Sequence, residues 1–295
     1  MDTALTDHPY LAATDGTFAL GNCSTEPPAG AGGKKALKKR LKQLTKSLDE
    51  QQRRLYSKGE RAVLLVFQAM DAAGKDGTIR AVFRRIDPNG CHVWPFKQPT
   101  PEELAHDFLW RVALKLPKKG KIGIFNRSHY EEVLVVRVHP EYLAGQKLPS
   151  YDSLEELWTQ RYESIRNFEE HLARSGTVII KFWLNLSRDE QARRFIARID
   201  EPEKRWKFSF GDVEERARWT SYMEAYEQMI RATSRPWAPW YAIPADDKRF
   251  MRVQVAEIVD RTLARLGLSY PQPDAAREDE LLEMARELES QIGQP

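Results

Sequence analysis

Gln68 to Arg80 reads QAMDAAGKDGTIR and follows directly on the apolar run AVLLVF. No other stretch restricts the fold as tightly. A short continuous run of Val, Leu and Phe suits a strand buried on both faces of a parallel sheet. In an open α/β sheet, ligands bind where such strands end and helices begin. The residues behind the run are small, so the backbone can wrap closely round an anion. A helix starting near Lys75 aims its free N–H groups at that anion, and Lys75 adds a point charge. The candidate cradle is Ala72, Ala73, Gly74, Lys75, Asp76, Gly77 and Thr78. It departs from the usual phosphate-loop pattern: Ala69 stands in place of the first glycine, Asp76 in place of Ser or Thr, and Asp71 adds a second acid. Phosphate chains travel with Mg²⁺, which takes carboxylate, phosphate and water oxygens. Asp71 is therefore the candidate metal ligand, with Asp76 nearby.

Similar apolar runs recur as KIGIFN, TVIIKFWLNL and WYAIP, with a weaker one at CHVWPF. Helical patterns lie between them, at residues 102–116, 154–175 and 212–234. Alternating strands and helices predict an α/β fold with a parallel central sheet. Residues 1–33 read as a flexible or loosely docked tail ending in the Pro/Gly hinge TEPPAGAGG, and residues 34–270 as the main domain. Residues 271–295 read as a further amphipathic helix, with Leu281, Ala285, Leu288 and Ile292 as its stripe. Leu37, Leu41, Leu44, Leu48 and Leu55 share one face of a helix that starts near Lys34 and stops at Gly59.

With 46 basic and 43 acidic residues the net charge is only +3, so a polyanion site must come from clustering. Cys23 and Cys91 are the only cysteines, far apart, which argues against a disulfide scaffold or structural zinc. No apolar run is long enough to span a bilayer, and the first residues lack a signal-peptide pattern. The expectation is a cytoplasmic protein with no membrane partner.

KIGIFNRSHYEEVLVVRV supplies the neighbouring strand end. Asn126 stands where phosphate-loop enzymes keep an acid. Asn cannot act as a base, which favours acceptors that are already anionic. Arg127 and Arg137 can fork onto phosphate oxygens. His129 reads as a structural histidine, because no second His or Cys has ligand spacing.

Four ordered blocks, VFQAMDAAGKDGTIR, IFNRSHYEEVLVVRV, EPEKRWKFSFGDVEERARW and PWYAIPADDKRF, together resemble the polyphosphate kinase type 2 family. The resemblance implies a three-layer α/β/α P-loop kinase fold, thymidylate-kinase-like, with a helical lid. It implies phosphoryl transfer between inorganic polyphosphate and ADP, AMP or ATP with Mg²⁺ (or Mn²⁺). It assigns Asp71 and Lys75 to the Walker A positions. Many members resemble DRSWYNR at the second block. This chain has Asn126 for the Asp and Glu131 for the Asn, similar to the subclass that phosphorylates AMP as well as ADP. The lid falls at about 188–218, with Arg205 and Lys207 as phosphate contacts. Closing it would exclude water.

Arg80 and Arg84, one turn apart on the loop's helix, are placed to meet a polyphosphate chain leaving the cradle. Lys34, Lys35, Lys38, Lys39, Arg40, Lys42 and Lys46 form a basic cluster that is either a track for polyanion or a solvated face. FKQPTPEELAHDFLWRV lies where related kinases bind the acceptor nucleotide, which makes Thr100 and Arg111 candidates. Asp246 and Asp247 border the site or form turns. The leucine face and the C-terminal stripe permit a dimer or tetramer. Two other readings stand beside this one: an ATP-dependent nucleoside monophosphate kinase on the same fold, and a non-catalytic polyanion or nucleic-acid-binding module. The acids Asp71 and Asp76 speak against the first. No base-reading helix or stacking sheet speaks for specific nucleic-acid binding.

Overall fold

The computed structural model describes residues 4–292, and within them the side chains of all but Lys204 and Lys207. Five strands form one parallel sheet: β1 Ala62–Gln68, β2 Cys91–Pro95, β3 Ile122–Asn126, β4 Thr177–Asn185 and β5 Trp240–Pro244. Their order is β2-β3-β1-β4-β5. β1 is central and fully buried. Val63, Leu65 and Phe67 feed one core layer, and Leu64 and Val66 the other. The order reverses at β1, so the crevice for a ligand opens at its carboxyl end.

The larger helices are α1 Lys34–Lys58, α2 Lys75–Phe83, α3 Leu154–Arg174, α4 Arg188–Asp200, α5 Phe210–Ala217, α6 Trp219–Thr233, α7 Lys248–Arg265 and α8 Ala275–Gln291. α1, α2 and α7 cover one face of the sheet, and α3 and α6 the other. Leu37, Leu44, Leu48 and Leu55 of the predicted stripe are buried against the sheet side, and Leu41 partly so. Truncating Leu48 or Leu55, both fully buried, would cost about 2–5 kcal/mol.

Two helical expectations change. The stretch 102–116 is no continuous helix. It holds single turns at Pro101–Leu104 and Trp110–Ala113. Between them Asp107 Oδ1 accepts from the Leu109 N–H at 2.9 Å, an Asx turn that competes with helix. The stretch 212–234 divides at Arg218 into α5 and α6.

Residues 4–33 run along the β5 edge. The Ala12 N–H donates to Trp240 O (2.9 Å), and the Ala242 N–H to Tyr10 O (2.8 Å). Leu5 and Phe18 are buried. Apolar anchors and edge pairing thus hold a segment whose composition suggests looseness, and they shield a sheet edge. Further along, Asn185 Nδ2 donates to Cys23 O and Ser24 O, and the Asp246 N–H to Thr25 O, all at 3.0–3.1 Å. α8 differs: every residue in it is exposed, including Leu281, Met284 and Leu288. No helix among the described residues is long and apolar enough to cross a membrane.

Candidate active site

The loop between β1 and α2 turns on two left-handed residues, Ala72 (φ 64°) and Gly74 (φ 101°). Gly74 caps α2 without a side-chain acceptor. The first intrahelical bond is Thr78 N–H to Gly74 O (3.0 Å), so the N–H groups of Gly74, Lys75, Asp76 and Gly77 lie ahead of the ladder. These donors and the helix dipole make an anion cradle. Lys75 Nζ donates to Ala69 O at 2.8 Å, so the lysine folds back beside the loop. Burial, then the charge of Arg127, push its pKa down to about 8 from the ordinary 10.5, although Asp71, Glu131 and Asp76 pull the other way.

The neighbouring strand end is held in register. Phe67 faces Asn126, and Gln68 Nε2 donates to Ser128 Oγ at 3.2 Å. Asn126 Nδ2 donates to Asp76 Oδ1 at 2.6 Å. A carboxylate at position 126 would meet Asp76 at that same distance, so the amide removes a repulsion. Arg127 is in left-handed backbone (φ 63°), strain that a non-glycine residue shows mainly at functional sites. Its Nη2 donates to Asp71 (2.7 Å) and its Nη1 to Glu131 (3.2 Å). Behind this turn Lys181 is fully buried. It donates to Glu169 (2.5 Å), Tyr130 Oη (2.8 Å) and Thr233 O (2.9 Å). The Tyr130 hydroxyl also donates to Glu169 (2.7 Å). That network fixes the turn carrying Arg127 and Glu131. His129 is buried beside it, with Nε2 3.7 Å from Glu169; burial lowers its pKa.

Two cavities open here. One, of about 500 Å³, is lined by the loop from Asp71 to Gly77 and by Arg80, Lys97, Asn126, Arg127, Arg194, Arg198, Lys248 and Arg252. The other, of about 630 Å³, is lined by Phe96, Pro99, Leu104, Phe108, Arg111, Glu131, Glu132, Val135, Tyr142 and neighbours. Phe96, Lys97 and Arg127 belong to both.

Most of the expected residues meet here; several do not. Thr78 is buried, outside the cavity lining, and its Oγ1 has no partner among the described residues. Arg84 is exposed one turn beyond Arg80. Arg137 lies over the Trp158 ring (5.6 Å) and lines neither cavity. Arg205 donates to Ile199 O (2.7 Å), away from the cradle. The Lys207 side chain lies outside the described residues. Thr100 caps the Pro101 turn in a capping box with Glu103. Arg111 lines the larger cavity but donates to Glu103 (3.2 Å) and Lys97 O (2.7 Å). Asp247 caps α7, and Asp246 Oδ1 accepts from the Ser187 N–H (2.8 Å).

Lys97, Lys248 and Arg252 carry no motif signal of their own, and Arg198 is one of many bases in the lid segment. Arg252 follows the ADDKRF block, and helical spacing from Lys248 was the available signal. Partial burial, then the charges of Arg249, Arg80 and Arg194, hold its pKa below the ordinary arginine value. Its Nε has no partner among the described residues. A half-buried cation among cations is suited to an anion.

Among the described residues no three of His, Cys, Asp or Glu converge on one point. Asp71 and Asp76 each engage one oxygen, with Arg127 and Asn126. Two carboxylates at a cationic cradle, with no imidazole or thiolate, fit a hard divalent cation that completes its shell with phosphate and water oxygens.

Comparison with known proteins agrees with this geometry. A family model described as Polyphosphate kinase 2 matches residues 32–267. The ADP-polyphosphate phosphotransferase of Rhodopseudomonas palustris is 52% identical, over 84% of this chain and 86% of its own length. The AMP/ADP-polyphosphate phosphotransferase of Meiothermus ruber is 46% identical, over 93% and 99%. The crystal structure of polyphosphate kinase 2 from Arthrobacter aurescens superposes with a TM-score of 0.81 at 38% identity, covering 92% of this chain and 98% of that one. With the five-stranded parallel sheet, the cradle behind β1 and the Asn126–Arg127 turn all in the matched span, the chain belongs to the polyphosphate kinase 2 family.

Proposed function

We propose that this protein transfers the terminal phosphoryl group between inorganic polyphosphate and adenine nucleotides, making ATP from ADP and ADP from AMP, and running in reverse. One observation carries the reading: a cradle with excess cations meets a second, charge-balanced cavity at Arg127. Donor chain and acceptor phosphate can then approach from opposite sides of one guanidinium. Arg80 and Arg252 extend the positive surface beyond what a nucleotide's own phosphates need.

The acceptor is a phosphate oxygen, already anionic, so no general base is required; Asn126 in place of an acid suits that. The acceptor oxygen attacks the terminal phosphorus in line, and the bond to the bridging oxygen breaks, leaving its electrons on the shortened chain. Catalysis is positioning plus electrostatics. The N–H groups of Gly74 to Gly77 and Lys75 hold the donor's terminal groups. Arg127, now on Asp71 and Glu131, turns its donors to the moving phosphoryl. A divalent cation, Mg²⁺ in our reading with Mn²⁺ as substitute, would be held by Asp71 and Asp76 and supplies neutralisation of phosphoryl charge. Asn126 and Glu131, together with the AMP/ADP relative, support use of both acceptors.

The test is nucleotide chromatography after incubation with Mg²⁺ and polyphosphate, separately with AMP and with ADP, without ATP. ADP and ATP from AMP support the full reading. ATP from ADP alone removes the AMP step. No product, but ADP once ATP is supplied with AMP, replaces the reading with an ATP-dependent monophosphate kinase.

A further inference from the structure

Arg194 looks at first like one more phosphate ligand, since it lines the cationic cavity. Its hydrogen bonds say otherwise. A guanidinium has five N–H donors: one on Nε and two on each Nη. Nε donates to Glu190 Oε1 at 2.9 Å. Nη1 donates to Ala72 O at 3.1 Å and Ala73 O at 2.8 Å. Nη2 donates to Ala245 O at 2.6 Å and Asp246 O at 3.0 Å. Every donor has an acceptor, and the side chain is 5% exposed. None is left for a phosphate oxygen.

We propose that Arg194 is a positioning residue that clamps the anion loop to the loop after β5 and so orients the amides of the cradle. The peptide unit is planar and trans, so its C=O and N–H point in opposite directions. Drawing Ala73 O onto Arg194 turns the Gly74 N–H away from it, toward the anion. Drawing Ala72 O the same way turns back the Ala73 N–H, which closes the Met70 turn at 3.3 Å. Gln191, one turn earlier on α4, donates to Asp71 O at 3.0 Å. α4 thus grips three successive carbonyls of the loop, at residues 71, 72 and 73. The left-handed backbone at Ala72, a non-glycine residue, needs such outside restraint. The other half of the clamp, Ala245 and Asp246, sits at the end of β5, and Asp246 is itself bonded to Thr25. α4 opens the segment predicted as lid, so the arginine ties that segment to the cradle through backbone rather than through substrate.

The proposal rests on reading the cradle as the phosphate site, and its test has an arm that does not. Full-length Arg194→Lys keeps the charge and cannot span four carbonyls. In the unliganded protein, exchange of the hydrogen-bonded Ala73 and Thr78 amides should rise about tenfold or more in this variant, with β4 and α7 unchanged. Unchanged exchange overturns the clamp, whatever the substrate. With polyphosphate, kcat should fall roughly 100-fold for Arg194→Lys and Arg194→Ala alike, as expected for a displaced cradle. The slope of log Kd against log salt should stay at the wild-type value in both. A Lys variant with near-normal kcat, or a slope lower by about one in the Ala variant alone, makes Arg194 a phosphate ligand instead. Guanidinium ion should restore exchange protection and rate to Arg194→Ala, and methylammonium should not. If both variants fail to fold, Glu190→Ala removes the acceptor of Arg194 Nε from the half-buried first turn of α4. Faster exchange at Ala73 and Thr78 then supports the clamp, and wild-type exchange refutes it. A wild-type protein inert toward polyphosphate would sink the functional reading and leave the exchange result to decide on Arg194.

Discussion

The two cavities that meet at Arg127 are built on opposite principles. The cradle side carries eight Lys or Arg side chains against three carboxylates, and its Arg252 has cationic neighbours. The larger cavity carries Lys97, Arg111 and Arg127 against Glu131, Glu132 and Glu141. There Arg111 is tied to Glu103 and Arg127 to Glu131, and the rest of the wall is largely Phe, Leu, Val and Pro. An excess of fixed charge recognises a polyanion of any length and responds to salt. Balanced charge in an apolar wall recognises one shape. A donor of variable length and a small acceptor of fixed shape require these two solutions.

The strongest way to break the contrast is at its centre. Asp71→Asn and Lys75→Met should each lower turnover by about 10³-fold or more, with unfolding transitions near wild type. Steady-state rates and thermal melts check both. Substantial activity in either variant would remove the cradle from the chemistry.

Arg252→Ala should raise the KM for polyphosphate roughly tenfold, leave the nucleotide KM unchanged and lower the salt slope by about one. A change in nucleotide KM of the same size would mean the cavities are not separate in function. Lys75 adds a pH signature. In the empty cradle it loses its proton near pH 8, and in the unfolded chain near the ordinary 10.5. kcat/KM for polyphosphate should therefore fall above about pH 8, and this limb should move upward in kcat because bound anion favours the charged form. Between those values the unfolded chain holds the extra proton, so this residue's contribution to stability rises with pH. The wild-type minus Lys75→Met stability difference, followed from pH 7 to 10.5, tests the sign.

On the acceptor side, Glu131→Gln should change the ratio of AMP to ADP use by about three- to tenfold and leave the polyphosphate KM within twofold. Competition assays with both nucleotides read this directly. The smallest effect belongs to α1. Lys34, Lys35, Lys38, Lys39, Arg40, Lys42 and Lys46 are all exposed. Neutralising Lys38, Lys39 and Lys42 should alter long-chain binding less than about threefold, and only at low salt. A large loss there would extend the donor track well beyond the cradle.

How much of this was legible beforehand follows from the range of the interactions involved. Four apolar runs became β1, β3, β4 and β5 because burial leaves a continuous apolar signature in local sequence, and the weaker fifth run became β2, a half-exposed edge strand. The leucine stripe of α1 and the cradle behind β1 rest on periodicity and on small residues beside a strand, which are also local. Asp71, Lys75, Asn126 and Arg127 meet because the sheet pairs β1 with β3, and the strand-end motifs announced that meeting. What local sequence could not decide was which of the many arginines face the anion. Arg137 lies on Trp158, Arg205 on a carbonyl, while Arg252 and Arg198 line the cavity. Arg194 stands on the buried side of α4 with Gln191 and Phe195, a spacing that hints at a partner but not at which carbonyls supply it. Nor could composition show that residues 4–33 would close the β5 edge, since edge pairing uses backbone groups that every sequence carries. The sequence by itself determined the sheet, the cradle and the family. The tertiary structure alone decided the assignment of each cation, because a charge's role depends on what lies within a few ångströms of it, and those neighbours come from elements distant in the chain.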